Sequence, residues 1–285
     1  MYPAPFDYFR ADSVEQALEL LSEHDGAKLL AGGHSLIPML KFRLAEPRVL
    51  IDIARISELK GISIDDDGIS IGALTTHREL SSSETLRSEC PLISEAASKI
   101  GDPQVRNRGT IGGNIAHADP ASDLPAPLLA LDATVHVRSQ EGERSISIAD
   151  FFVDLLATRL ETSEVMTHLT IPRNGTGSGS AYLKMEHPAS GYAVCGAAAV
   201  VSSGNPQRVS LALNGVTGTP RRMTAVEQAL ESTGLDDAEI DAAVDGHLEI
   251  QDPLSDTYAS ADFRAELARV WSKRAIKAAR DRASR

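Results

Sequence analysis

The first fifty residues switch between helical and strand-like spacing. Val14, Ala17, Leu18 and Leu21 recur at intervals of three and four, the repeat that lines one face of a helix. Ser13 precedes them as a cap, Gln16 three residues later completes a capping box, and Asp25-Gly26 closes the helix. Lys28–Ala31 reads as a short apolar strand running into Gly32-Gly33, and Val49–Ile53 as a second buried strand. From about Lys60 the period shortens to two. Ile62, Ile64, Ile69 and Ile71 alternate with polar residues around Asp66-Asp67-Gly68, which predicts a hairpin. Pro91–Ile100 predicts a helix with proline in its first turn. Gly101–Asp123 is rich in Gly, Pro, Asn and Asp and has no period, so it reads as a long loop or a set of tight turns. Loops of that length inside a compact domain tend to be functional.

Pro127–Leu131 predicts a short buried helix, and Thr134–Arg138 pairs with Arg144–Ile148 across Glu141-Gly142. Strand-like Glu164–Ile171 and Ala181–Glu186 flank Asn174–Ser180, whose Gly/Ser composition makes it a flexible linker or a wide hairpin loop. Val194–Val201 and Val209–Leu213 predict two more apolar strands. The chain ends in helices. The last carries Phe263, Leu267, Val270, Trp271 and Ala278 as its apolar stripe, and the basic residues from Arg264 to Arg282 as a solvated face.

A length of 285 residues allows two modest domains or one large one. The formal net charge of −12 argues against nucleic acid, because phosphate backbones require a basic surface. Cys90 and Cys195 lie far apart, and two thiols alone hold neither an iron–sulfur cluster nor a four-thiolate zinc. They read as buried free thiols in a reducing compartment. With no signal-like N-terminal segment and no run of about 18 apolar residues, a cytoplasmic location is expected. The histidines are scattered, with no H-x-x-x-H or H-E-x-x-H spacing, so no metal site is expected. Asp65-Asp66-Asp67 reads as a solvated turn, since three adjacent side chains cannot converge on one ion. No G-x-S-x-G elbow supports a hydrolase.

Two segments remain. Leu30-Ala31-Gly32-Gly33-His34-Ser35-Leu36-Ile37-Pro38 and Arg108-Gly109-Thr110-Ile111-Gly112-Gly113-Asn114-Ile115 each pair glycines where the backbone turns tightly or approaches a ligand closely. Successive N–H groups in such turns form a concave anion site, and Ser35, Thr110 and Asn114 add side-chain donors. Two such loops could clamp a pyrophosphate from both sides. A Gly-Gly pair is more often only a turn, and this reasoning does not choose one phosphate ligand over another. There is neither a P-loop nor a G-x-G-x-x-G that follows a strand and opens a helix.

AGGHSLIP at Ala31–Pro38 and RNRGTIGGNIAHADPASDLPAPLLALDA at Arg106–Ala133 resemble the FAD-binding subunits of molybdenum hydroxylases, of the type found in aerobic carbon monoxide dehydrogenase and, in related form, in xanthine dehydrogenase. The resemblance extends through Pro3–Leu21 and Phe263–Ile276. It implies an α+β fold: a PCMH/vanillyl-alcohol-oxidase-type FAD-binding domain over residues 1–175, in subdomains of about 1–57 and 58–175, then a C-terminal α+β domain over 176–285. It implies non-covalent FAD, with the Leu30–Leu36 and Thr110–Asn114 loops around pyrophosphate and ribityl chain. Ile100 falls at the adenine, Asp123 at a polar contact, Met166 at a backbone contact near the flavin, and Lys184 at a charged contact near the isoalloxazine. Tyr192 is a further candidate for the flavin face. His34 reads as a polar loop residue, and His117 and Asp119 as a turn held by local hydrogen bonds.

The resemblance also implies partners: a large molybdopterin subunit and a small subunit with two [2Fe-2S] clusters, assembled as a dimer of heterotrimers, with room for peripheral association with a quinone-reducing membrane system. The chain would pass electrons from the clusters to an external acceptor, and no acid–base catalyst is identified in it. The rival readings are a self-sufficient FAD oxidoreductase of the same fold and a non-catalytic dinucleotide-binding protein.

Overall fold

The computed structural model describes residues 2–66, 68–173, 177–202 and 207–283. The first sheet is parallel, with Val49–Asp52 between Asp7–Arg10 and Lys28–Leu30. Parallel neighbours need crossovers. Helix Val14–Glu23 bridges the first two strands in sequence and buries Val14, Ala17 and Leu18, as the spacing predicts. A short helix, Leu36–Phe42, carries the chain from Lys28–Leu30 to Val49–Asp52. The first Gly-Gly loop thus sits at the carboxyl end of a parallel strand, where α/β units present ligand-binding loops.

The second sheet is antiparallel, in the order Ile62–Ile64, Ile69–Gly72, Val165–Ile171, Thr134–Ser139, Gly142–Ser147. Both expected hairpins are present. In the first, the Asp65 carboxylate accepts from the Gly68 N–H at 3.0 Å, and Gly68 has φ +145°; Asp67 lies outside the described residues. The central strand, Val165–Ile171, carries a register shift between Met166 and His168, and the Thr167 carbonyl there accepts from Ala73 N–H at 2.9 Å. Such bulges re-aim the backbone next to sites.

The third sheet is antiparallel too: Ser178–Glu186, Ala193–Ser202, Arg208–Asn214 and Arg221–Arg222. Its strand Ala193–Ser202 is buried on both faces. Ala198 and Val200 join the core of the second sheet, while Ala197, Ala199 and Val201 join a separate core under the C-terminal helix. A strand with two covered faces reads as a continuous apolar run, which is why its sequence shows no alternation. Ser178–Ser180, expected within a linker or loop, already belongs to this sheet; residues 174–176 lie outside the described residues.

Three expectations are corrected. Gly101–Asp123 is not simply a loop: it contains helices Pro103–Arg106 and Ile111–His117, each started by a side-chain cap, Asp102 and Thr110. The terminal helix Ala261–Ala283 buries Arg264, Ala268, Ser272, Ala275, Ile276 and Ala279; of the predicted stripe, Leu267, Trp271 and Ala278 pack only partly against the core, and Phe263 is 44% exposed. The reason is close packing: a Cβ on Gly179 would collide with the Ala279 carbonyl oxygen, so the contact is made mainly by small residues, with Ile276, while Leu267 and Trp271 flank it. Nor is its basic face simply solvated. Arg264 is buried, Arg280 pairs with Asp237, and Arg282 pairs with Glu95. No helix among the described residues is long and apolar enough to cross a membrane.

Candidate functional site

The three sheets meet around one cavity of about 650 Å³, within the range of small-molecule and cofactor sites. Of the residues singled out in the sequence, Ala31, Gly32, Gly33, His34, Ser35 and Leu36 line it from the first loop. Thr110, Gly112, Gly113 and Asn114 line it from the second, and Ile100, Asp123, Met166, Tyr192 and His117 complete the set. Leu30, Ile111 and Lys184 do not line it: Leu30 ends its strand, Ile111 is fully buried in the core, and Lys184 stands behind Asp123.

The two loops touch through backbone. A Cβ on Gly32 would collide with the Arg108 carbonyl oxygen, so only glycine lets the loops close on each other. Gly33 has φ +77°, a left-handed conformation that side chains disfavour. The roles of the loops differ. Among the described residues, the N–H groups of Gly32, Gly33, His34 and Ser35 meet no protein acceptor. In the second loop the Ile111 and Gly112 N–H groups donate to the Thr75 and Ala73 carbonyls, at 3.0 and 2.8 Å. Gly113 donates to Thr110 Oγ1 at 3.2 Å and Asn114 to the Thr110 carbonyl at 2.9 Å. The unengaged anion-binding donors therefore sit on the first loop. The second is the first turn of a capped helix that closes the cradle and brings Asn114 to it. Gly112 lines the cavity through its backbone only, since a Cβ there would lie 2.6 Å from the Ala73 Cβ, towards the core. At Gly113, by contrast, a Cβ would meet Thr110 Oγ1 at 2.9 Å and Ala31 Cβ at 3.9 Å, between the two loops.

Two buried side-chain atoms on the cavity residues lack a hydrogen-bond partner among the described residues, Asn114 Oδ1 and His77 Nδ1. Buried polar atoms are nearly always satisfied, so both mark a place where a polar ligand belongs. His77 was missed in the sequence. The Thr76-x-x-Glu79 capping box, which the structure forms, would have placed it at a helix start, but not under Gly109, whose missing Cβ leaves room for the imidazole. Burial, reinforced by His34 and Arg106, holds its pKa down at about 4, so the ring is neutral.

Behind the cavity runs a polar network. Lys184 Nζ donates to Asp123 Oδ2 at 2.9 Å, to the Lys99 carbonyl at 2.9 Å and to the Gly191 carbonyl at 2.6 Å. Tyr182 donates to Asp123 Oδ1 at 2.7 Å. Burial pushes the Asp123 carboxyl up to about 6, against the pull of Lys184 and Tyr182. Glu164, buried in the cavity lining, is gripped by the Arg144 guanidinium at 2.6 and 2.8 Å. Asp119 holds a local turn by accepting from Ala121 N–H at 2.9 Å. Both cysteines are buried, and burial pushes each thiol up to about 12.

A cavity of this volume with a row of unengaged N–H groups, a close backbone approach and orphaned polar atoms fits a dinucleotide such as FAD. Comparison with known proteins agrees. The family described as FAD binding domain in molybdopterin dehydrogenase matches residues 4–174, and the CO dehydrogenase flavoprotein C-terminal domain matches residues 180–279. The chain is 40% identical to the 6-hydroxypseudooxynicotine dehydrogenase complex subunit alpha of Paenarthrobacter nicotinovorans, over 99% of this chain and 97% of that one. It is also 40% identical to the carbon monoxide dehydrogenase medium chain of Hydrogenophaga pseudoflava, over 98% of each. The solved structure of carbon monoxide dehydrogenase from Hydrogenophaga pseudoflava, in a form lacking the Mo-pyranopterin moiety, superposes with a TM-score of 0.95 at 41% identity over 99% of both chains. By sequence, fold and cavity alike, the chain belongs to the FAD-binding medium subunits of the molybdenum hydroxylases, oxidoreductase complexes of several subunits.

Proposed function

We propose that the cavity holds one FAD non-covalently and that the chain relays electrons from iron–sulfur clusters on a small partner subunit to an external acceptor. The observation that carries this reading is the row of unengaged N–H groups at Gly32–Ser35, closed from the far side by Thr110–Asn114 with its partnerless Asn114 Oδ1. Bound FAD supplies the chemistry, accepting electrons singly and releasing them in pairs.

The chain's own residues bind and orient. The Leu30–Leu36 loop grips the pyrophosphate, with Gly113, Asn114 and His77 on its other side. Ile100 packs on the adenine. Met166, on the bulged strand, and Tyr192 flank the flavin. Asp123 meets the cofactor as a buried acceptor, and Lys184 acts through it rather than by direct contact. No residue is assigned as acid or base.

Residues 1–175 form the FAD-binding unit in this reading, in parts of about 1–57 and 58–175, and 176–285 the C-terminal unit. The complex is a dimer of heterotrimers with a large molybdopterin subunit, cytoplasmic, and peripheral to a quinone-reducing membrane system. The oxidised substrate is chosen on the molybdenum subunit: two relatives named for different substrates are equally similar to this chain.

Acid precipitation of the purified protein should release its yellow colour into the supernatant. The isolated chain should oxidise none of carbon monoxide, purines or aromatic N-heterocycles with a dye as acceptor, and adding both partner subunits should restore dye reduction. Colour retained in the pellet would mean a covalent flavin, and turnover by the isolated chain matching the complex would replace the relay with a self-sufficient oxidase.

A further inference from the structure

The cavity wall that carries Ile100 is a tight turn. Helix Pro91–Ser98 ends just before it, and the short helix Pro103–Arg106 follows it. Ile100, Gly101 and Val105 all line the cavity. Gly101 holds φ +40°, and a Cβ on it would lie 3.2 Å from the Val105 Cβ. Three successive carbonyls of this turn are held by cations. Lys184 Nζ donates to the Lys99 carbonyl at 2.9 Å, and Arg106 Nη1 donates to the Ile100 and Gly101 carbonyls at 2.8 and 2.9 Å. Among the described residues, those two carbonyls are the only side-chain hydrogen-bond partners of Arg106. On the reading that the adenine of FAD packs on Ile100, we propose that Arg106 is a positioning residue for that ring: its guanidinium fixes the turn, and the turn fixes the wall that receives the adenine.

Helix capping does not account for the contact. The last carbonyls of helix Pro91–Ser98 are already met, Ala96 by the Lys99 N–H at 3.0 Å and Ala97 by the Ile100 N–H at 3.3 Å. The carbonyls that Arg106 takes lie beyond that helix. Nor does the turn hold itself. A four-residue helix is far too short to be stable alone. This one rests on the Asp102 carboxylate, which accepts from the Val105 N–H at 2.8 Å, and on Arg106 reaching back over it. Gly101 is exposed, and glycine has the widest choice of backbone conformations when nothing restrains it. Ile100 itself is buried between core and cavity, so a rotation of the turn moves its side chain off the ring. Hydrogen bonds from an ionised donor are among the stronger kind. A single nitrogen spans both oxygens here, a task that a lysine ammonium with its three donors can also perform.

The test is a double-mutant cycle on FAD affinity, by calorimetric titration of the flavin-free complex, with urea midpoints measured alongside. Arg106→Ala weakens FAD about tenfold, and Arg106→Lys restores most of the loss. Ile100→Ala weakens FAD as well. Arg106→Ala made on that background then costs about twofold or less, because a residue that acts through Ile100 has nothing left to position. Arg106→Gln, which keeps the stem and loses the charge, runs through the same cycle, so the result stands even if the alanine variant does not fold. Equal losses on the two backgrounds, or wild-type affinity in Arg106→Ala and Arg106→Gln, overturn the proposal and leave the adenine contact in place. Wild-type affinity in Ile100→Ala instead removes the adenine contact, and the proposal falls with it.

Discussion

The glycines of the two loops do separate jobs, and substitution separates them. Valine at Gly33 forces a side chain into a left-handed backbone, φ +77°, at a cost of about 1–2 kcal/mol, and shifts the N–H row. We expect a folded protein whose flavin is lost on gel filtration, read from the ratio of flavin to protein absorbance. Alanine at Gly113 probes the second loop. It sits in helix Ile111–His117, where alanine is favoured over glycine by up to about 1 kcal/mol, yet its Cβ lies 2.9 Å from Thr110 Oγ1 on the Ala31 side of the cradle. Flavin affinity should fall, and the melting temperature should not rise, because the methyl must push aside the Thr110 hydroxyl that caps the helix. Gly112→Val should instead lower stability by about 1–3 kcal/mol through overpacking against Ala73, visible in the melt of the flavin-free protein. His77 predicts the pH response. Its folded pKa of about 4 lies below the ordinary 6.5, so the unfolded chain binds the extra proton between those values. Stability is then full above 6.5 and falls as pH drops towards 4, by about 2 kcal/mol between pH 7.5 and 5. His77→Gln should flatten that slope in urea titrations at the two pH values. The glycine pairs were legible as letters. Which α-carbon faces the cavity and which the core was not, because that depends on Ala73, some forty residues away along the chain.

At the scale of elements, periodicity read the amphipathic helix Val14–Glu23 and the hairpins well, since each has one face in water and one in the core. It failed where both sides are covered or where caps decide. The segment Gly101–Asp123 looked structureless because its two helices are single turns or little more, begun by Asp102 and Thr110 rather than marked by an apolar stripe. The terminal helix misled for the opposite reason: Leu267 and Trp271 flank the contact, which small residues and Ile276 make. Gly179→Ala should therefore be costly far from any ligand, because the new methyl meets the backbone of Ala279. A loss of about 1–3 kcal/mol is expected, measured as a lower urea midpoint with unchanged flavin stoichiometry in the protein that remains folded.

For the whole molecule, Lys184 is the residue that ties parts together. From the third sheet it reaches Asp123 on the cavity wall, the Lys99 carbonyl behind Ile100, and the Gly191 carbonyl beside Tyr192. Lys184→Met leaves the buried Asp123 carboxylate without its counter-charge and with only the Tyr182 hydroxyl as side-chain donor, and breaking a buried pair in this way typically costs about 3–5 kcal/mol. The expected outcome is a lower urea midpoint together with weaker flavin binding, and partial recovery of stability when Asp123→Asn removes the stranded charge. Stability unaffected by Lys184→Met would mean that the network is solvated in solution and does not brace the site.

Local sequence was enough to determine the strands and helices with one wet face, the two Gly-Gly segments, and the family those segments resemble. It did so because periodicity, capping and turn chemistry act over a few residues. Only tertiary structure decided that the first loop keeps its N–H groups open while the second uses its own internally, that His77 lies neutral beneath Gly109, and that Lys184 serves the site from one layer behind it. Each of these depends on which distant carbonyl, carboxylate or α-carbon a group meets, and such meetings are set by how three sheets pack against one another.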